Sequence, residues 1–179
     1  MKATSFANVL WTKHLSCHEK SAYRRAMLQR PSSRLLVLNN QDQVLLFRFE
    51  PKSGPLSGRI FWATPGGGVE DNETYEETAL RELHEELGIT RDHPGQQVAQ
   101  RTVVLTLYNG NVVEADERYF MIRINEPAIS DANWSLLERE VMAAHHWWSQ
   151  TELRSTTEQV WPADLEDILV GAGAWQATL

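Results

Sequence analysis

Glu82, Glu85 and Glu86 follow Arg81 in the run Arg81-Glu82-Leu83-His84-Glu85-Glu86-Leu87-Gly88-Ile89. On a helix, spacings of three and four residues put these carboxylates at neighbouring positions on one surface. Like charges so placed cost an isolated helix roughly 0.2–0.5 kcal/mol per pair. A hard divalent cation with oxygen ligands reverses that cost, and Mg2+ is usually held by a few carboxylates together with substrate phosphates. The plainer reading is an acidic face turned to solvent. Arg81 has an equally plain one, with Glu77 four residues before it and Glu85 four after, as local helix pairs.

These groups need a rigid support. Thr74 followed by Glu77 has the pattern of a capping box and Gly88 supplies a stop, which predicts a helix from Tyr75 to Leu87. Its Ala79, Leu80, Leu83 and Leu87 form an apolar stripe that packs on the domain and leaves the carboxylates facing buffer. Upstream, Trp62-Ala63-Thr64-Pro65-Gly66-Gly67-Gly68 ends in three glycines, whose torsions are closed to other residues and whose backbone can approach a metal or phosphate.

Gly67 to Ile89 carries the pattern G-x5-E-x7-R-E-U-x-E-E-x-G-U, where U is a bulky apolar residue, and every position matches. In this it resembles the Nudix (MutT-like) hydrolase family, and the W-x-x-P-G-G approach is also similar. Flanking similarity, in Leu45-Leu46-Phe47-Arg48 and Trp147-Trp148, extends the likeness over about residues 33–170. The resemblance implies that Arg81 pairs with Glu73 and holds the loop against the helix. It implies Glu82, Glu85 and Glu86, with the Gly66 carbonyl, as metal ligands for Mg2+ or Mn2+. It further implies Gly67, Gly68 and Arg48 beside substrate phosphates and a further glutamate from a later loop, here Glu140 with Glu138 as the alternative. One of these glutamates would orient or deprotonate the attacking water. Phe61, Trp62, Tyr108 and Tyr119 are candidates to stack a base, Tyr108 foremost, although most aromatics in such strands are core. His145-His146 looks like a metal pair, but adjacent strand residues face opposite ways.

The activity implied is a pyrophosphohydrolase cleaving the diphosphate link of a nucleoside diphosphate derivative, a nucleoside triphosphate before ADP-ribose or a nucleotide sugar. Val104 stands where ADP-ribose hydrolases carry proline, and Tyr108 lies slightly too far along for the tyrosine of dinucleoside polyphosphate hydrolases. A silent nucleotide-binding module is the alternative from another class; the intact carboxylates count against it. An isoprenyl diphosphate isomerase would need a catalytic cysteine, and Cys17 lies well upstream of the motif.

The 179 residues fit one domain with a sizeable core, and 42% hydrophobic with 23% charged residues is ordinary for a globular protein. A net charge of −7 without a basic run argues for a small-molecule nucleotide rather than nucleic acid as partner. No apolar run reaches bilayer length and no signal-peptide pattern is seen, so no membrane partner is expected. One cysteine fits a reducing cytosol, and a cytoplasmic location is expected. Nothing in the sequence speaks to oligomeric state.

Residues 1–31 carry no motif and are set apart as an N-terminal extension, with a short helix from His18 to Gln29 stopped by Pro31; residues 32–179 form the domain. Arg34–Asn39 and Val44–Phe49 read as a hairpin, and Glu50–Gly58 as a loop before a strand at Ile60–Ala63. Val98–Tyr108 and Val112–Ile124 are longer strands joined by an Asn109-Gly110 turn. His146–Trp148 is a short strand, Ser149 with Glu152 caps a brief helix, and Pro162 opens a last one that buries Leu165, Ile168 and Leu169. The pattern is α/β; the resemblance sharpens it to the Nudix fold, a mixed β-sheet sandwiched between α-helices.

Overall fold

The structure is a computed structural model that describes residues 27–125 and 129–177. Seven strands form one mixed sheet: β1 (Leu28–Leu38), β2 (Val44–Phe49), β3 (Phe61–Ala63), β4 (Gln96–Thr106), β5 (Val112–Arg123), β6 (Met142–Trp148) and β7 (Val160–Trp161). Their order is β4-β5-β1-β2-β3-β7, with β6 also on β2. Among the described residues four helices accompany them: α1 (Tyr75–Leu87), α2 (Leu136–Val141), α3 (Gln150–Ser155) and α4 (Leu165–Gly171). The α/β class and the helix-covered mixed sheet are as expected.

The sheet opens between β1 and β2. β1 runs parallel to β5 along its whole length, from Leu28 opposite Val113 to Leu38 opposite Arg123. It meets β2 only at Leu38 opposite Val44, beside the turn. Beyond that hairpin end, the edge of β1 is taken by residues 65–69. Leu35 donates its amide to the Pro65 carbonyl at 2.9 Å, Ser33 to Gly67 at 2.9 Å, and Val69 to Pro31 at 3.0 Å. The glycine turn is thus pinned into the gap the diverging strands leave.

The expected helix to Gln29 is corrected by this arrangement. Leu28 to Pro31 are strand, and Pro31 is tolerated because the neighbouring turn needs its carbonyl rather than an amide. The rest of that proposed helix, from His18, lies outside the described residues, as does Cys17. Pro162 likewise precedes the last helix instead of opening it: α4 starts at Leu165, whose amide donates to the Pro162 carbonyl at 3.1 Å.

Two apolar layers flank the sheet. On one side Ala79, Leu83 and Leu87 of α1 pack on Leu35, Val37, Phe47 and Ile122. On the other, Leu165 and Leu169 of α4 pack on Leu36, Leu38, Leu46 and Tyr119. Each fully buried leucine stabilises by roughly 1.5–3 kcal/mol, so α1 is held by its apolar stripe and free to carry charge elsewhere. Leu80 is only half-buried and Ile168 likewise.

Candidate active site

The catalytic helix forms as its sequence dictates. Thr74 and Glu77 exchange the two capping bonds, and Gly88 ends the helix in the left-handed region at φ 73°. Glu82 and Glu86 are not on a solvated face, however; they are 7% and 5% exposed beneath the glycine turn. A Cβ on Gly67 would sit 2.1 Å from the Glu82 carboxylate, so a side chain there would push that carboxylate aside. Glu86 accepts the Gly66 amide at 2.7 Å.

Arg81 makes the bonds that the resemblance implied. Its guanidinium meets Glu73 twice, at 2.8 and 3.1 Å, and donates to the Gly68 carbonyl at 3.0 Å. It also reaches Glu82 at 2.8 Å and Glu85 at 2.9 Å. The hydrogen bonds from Arg81 hold the Glu73 carboxyl at about 2, below the usual range. Glu86 lies at the other extreme: burial, with the Glu82 charge beside it, pushes its carboxyl well above that range against the pull of the Gly66 amide. Burial raises Glu82 too, despite the adjacent Arg81.

A third carboxylate joins the buried pair. Glu82, Glu86 and Glu138 each present an oxygen, and these lie within 4.8 Å of one another. Glu138 belongs to α2, absent from the sequence expectations, while Glu140 is exposed and outside the cluster. The segment ahead of α2 is fastened to the end of α1. Ser130 donates to the Leu87 carbonyl at 3.1 Å, Asn133 to that of His84 at 3.1 Å, and the Trp134 indole to that of Glu86 at 2.8 Å. Ser135 then caps α2 with Glu138 in a second capping box, which fixes the Glu138 backbone. Glu85 is not in the cluster; 42% exposed and tied to Arg81, it stands at the outer edge.

The three acids open into a cleft of about 740 Å³. Gly66, Gly67 and Gly68 line it, as do Arg30, Arg34, Arg59, Arg81 and Arg101. Opposite are Tyr108, Val103 and Leu105, with Phe49 and Phe61 stacked at 5.3 Å. Burial pushes the Tyr108 hydroxyl up to about 12, so it is neutral at physiological pH. Arg48 does not line this cleft. It shares the side of β2 occupied by Leu46, while Phe49, one residue on, faces the cleft; it pairs instead with Glu50. Trp62 is on that other side too, packed against His146 and Trp148, and Tyr119 lines the floor of the cleft. His145 and His146 part as expected, the first to Phe47 and the second to Trp62 and Glu152.

The sequence reading passed over Arg30, Arg34, Arg59, Arg101 and Glu117. The signal available was a charge in phase with buried Leu36 and Leu38 on β1, and another in phase with Tyr119 on β5.

A mixed sheet split by a glycine turn, with a carboxylate-bearing helix beneath it, defines a class of fold and site. The model of the NUDIX domain matches residues 28–167, and the chain belongs to the Nudix hydrolase family. Among curated proteins, an RNA pyrophosphohydrolase of Pseudoalteromonas translucida is 44% identical over 55 residues, 31% of this chain and 28% of that protein. One from Gluconacetobacter diazotrophicus is 40% identical over 72 residues, 38% and 39% of the two chains. An 8-oxo-dGTP diphosphatase of Proteus vulgaris is 66% identical over 29 residues, 16% of this chain and 26% of that one. The chain thus spans from about a quarter to two-fifths of the length of these relatives. The MutT protein of Methanosarcina mazei Go1 superposes with TM-score 0.58 at 23% identity, covering 83% of this chain and 95% of that one. A MutT Nudix hydrolase from Burkholderia pseudomallei gives 0.52 at 21%, covering 78% and 95%. At these identities the likeness is one of fold. No helix among the described residues is long and apolar enough to cross a membrane.

Proposed function

We propose that the protein is a divalent-cation-dependent pyrophosphohydrolase that breaks the diphosphate link of a nucleoside triphosphate, releasing the monophosphate and pyrophosphate. The observation that carries this is the trio of buried Glu82 and Glu86 with half-buried Glu138, three carboxylates gathered in an arginine-lined cleft. An all-oxygen donor set suits Mg2+, with Mn2+ able to replace it. The trio, with Glu85 and the Gly66 carbonyl at its edge, would hold the cation. When bound, the cation supplies Lewis acidity toward the phosphoryl oxygens and lowers the pKa of the attacking water.

The chain's own groups do the rest. Arg81 clamps the Glu73 loop, so the glycine turn and the carboxylates keep one geometry. Arg30 is half-buried, donates to Ser32 Oγ at 2.7 Å and packs over Gly68, placing a cation where phosphates pass the turn. Tyr108 and the Phe49–Phe61 pair give an apolar wall against which a base can lie. The names of the relatives favour a second reading, the same cleavage at the 5′ end of RNA; the net charge of −7 weighs against it.

Hydrolysis in 18O-labelled water, across nucleoside triphosphates, oxidised purine nucleotides, ADP-ribose, a nucleotide sugar and a 5′-triphosphorylated oligonucleotide, tests both. Monophosphate and pyrophosphate from a triphosphate, with label in one product, are expected. Orthophosphate and diphosphate as the first products would sink the proposal. Turnover of ADP-ribose or the oligonucleotide alone would move the substrate and keep the site.

A further inference from the structure

Arg34 sits on β1 at the floor of the cleft, a charge in a strand otherwise committed to the core. Its Nη1 donates to the Gly66 carbonyl at 3.0 Å, and its Nε to Glu117 at 2.9 Å. The flanking carbonyls of Pro65 and Gly67 are taken by β1 amides, whereas Gly66 receives this side chain instead. Gly66 has φ +124°, and a Cβ there would lie 2.2 Å from the Ser33 carbonyl oxygen. Only glycine fits this close against β1 in this conformation. Gly66 is gripped at both ends, its amide by Glu86 and its carbonyl by Arg34.

Arg34 is itself held. Glu117 is 5% exposed and takes the Tyr119 hydroxyl at 2.9 Å on its second oxygen, with the Arg101 Nε at 3.4 Å. Arg101 continues to Asp164, at the start of α4. A relay of charge-assisted contacts thus runs from the α4 layer through Glu117 and Arg34 to Gly66 and Glu86, joining residues 83 apart along the chain. Arg34, Glu117, Arg101 and Asp164 all lie outside the family motif.

We propose that Arg34 is a positioning residue that sets the orientation of the Gly66 peptide for the cation site, with Glu117 as the counter-charge that aims it. The inference rests on the cation-site reading above. A planar fork can hold Glu117 and Gly66 together, which a lysine ammonium on a flexible stem does not do in the same geometry. Outer contacts of this kind typically change metal affinity by roughly 10–100-fold.

The test is titration of Mn2+ alone into parent protein, Arg34→Lys and the double variant R34M/E117Q, followed by steady-state kinetics. The double variant removes both charges, so no buried ion is left unpaired, and it carries the test should R34K lose its melting transition. Both variants should bind Mn2+ about tenfold more weakly or worse, with kcat reduced and KM for the nucleotide within about twofold of parent. Unchanged Mn2+ affinity in both would overturn the proposal. So would a raised KM at unchanged Mn2+ affinity, which would make Arg34 a substrate contact. A parent that binds no Mn2+ would instead bring down the cation site itself, a distinct result.

Discussion

Two sets of acids with opposite electrostatics meet around α1. Glu73 and Glu85 meet in the Arg81 guanidinium, whose hydrogen bonds favour the ionised form of Glu73. Less than a turn away, Glu82 and Glu86 are buried beside half-buried Glu138, and for Glu86 desolvation and repulsion favour the neutral form. The first set is complete without a ligand. In the second, Arg81 reaches only Glu82, and a cation would balance the charge that remains. Holding like charges together costs stability, and that cost is what bound metal would relieve.

The largest effect should come from Glu86→Gln. The amide keeps the oxygen that accepts the Gly66 amide but removes a charge from the trio. Lewis-acid assistance is worth several kcal/mol, so turnover should fall by about 10²–10³-fold. Melting of the metal-free protein should hold or rise, since a buried charge is gone. Parent-like turnover would show that the trio is not the cation site.

Arg81→Ala should act in the opposite sense on the fold. It strips Glu73, Glu85 and the Gly68 carbonyl of their donor at once. Charge-assisted bonds contribute about 1.5–3 kcal/mol each, less where solvent reaches them. A net loss of about 2 kcal/mol, or about 4–8 °C in Tm, is expected along with lower activity. A variant with unchanged Tm would mean that the clamp adds nothing.

The two sets should also respond oppositely to pH. Glu73 is depressed from 4.5 to about 2, so its contribution is present above 4.5 and lost as pH falls through about 2. Glu86 is raised, so its favourable contribution is present below 4.5 and lost as pH climbs through its folded value. Melting curves of Glu73→Gln should lose the acid limb, and those of Glu86→Gln the alkaline one. Mg2+ should raise the parent's Tm more at higher pH, where the carboxylates give up their protons to make room for it. Parallel slopes in the two variants would contradict the distinction.

The smallest effects discriminate between neighbours. Glu140→Gln and Arg48→Ala should stay within about twofold of parent turnover, as exposed or outward groups usually do. Glu138→Gln should lose about tenfold or more. Equal losses at 138 and 140 would place the loop wrongly.

What the sequence made legible was local. Thr74, Glu77 and Gly88 bound α1 through backbone bonds within a few residues, and the Arg81–Glu73 contact spans only eight. Two groups were not assigned because their roles depend on distant partners, Glu138 standing only as the alternative to Glu140 and Arg34 passed over. Glu138 reaches the trio through Trp134 docking on Glu86, 48 residues back, and its own capping box with Ser135 was hidden beside exposed Leu136 and Leu137. Arg34 acquires meaning only when parallel pairing of β1 with β5 brings Glu117 beside it. Arg48 misled because a family likeness fixes a position along a strand, while the side it faces follows from the two-residue period.

The most direct measurement is calorimetric titration of Mn2+ into the metal-free protein in buffers of different ionisation heat. Saturable binding should release protons, more at pH 6 than at pH 8, and both the binding and the release should weaken in Glu86→Gln but not in Glu73→Gln. Binding without proton release, or equal weakening in the two variants, would contradict the account of the Glu82–Glu86–Glu138 trio as the cation site.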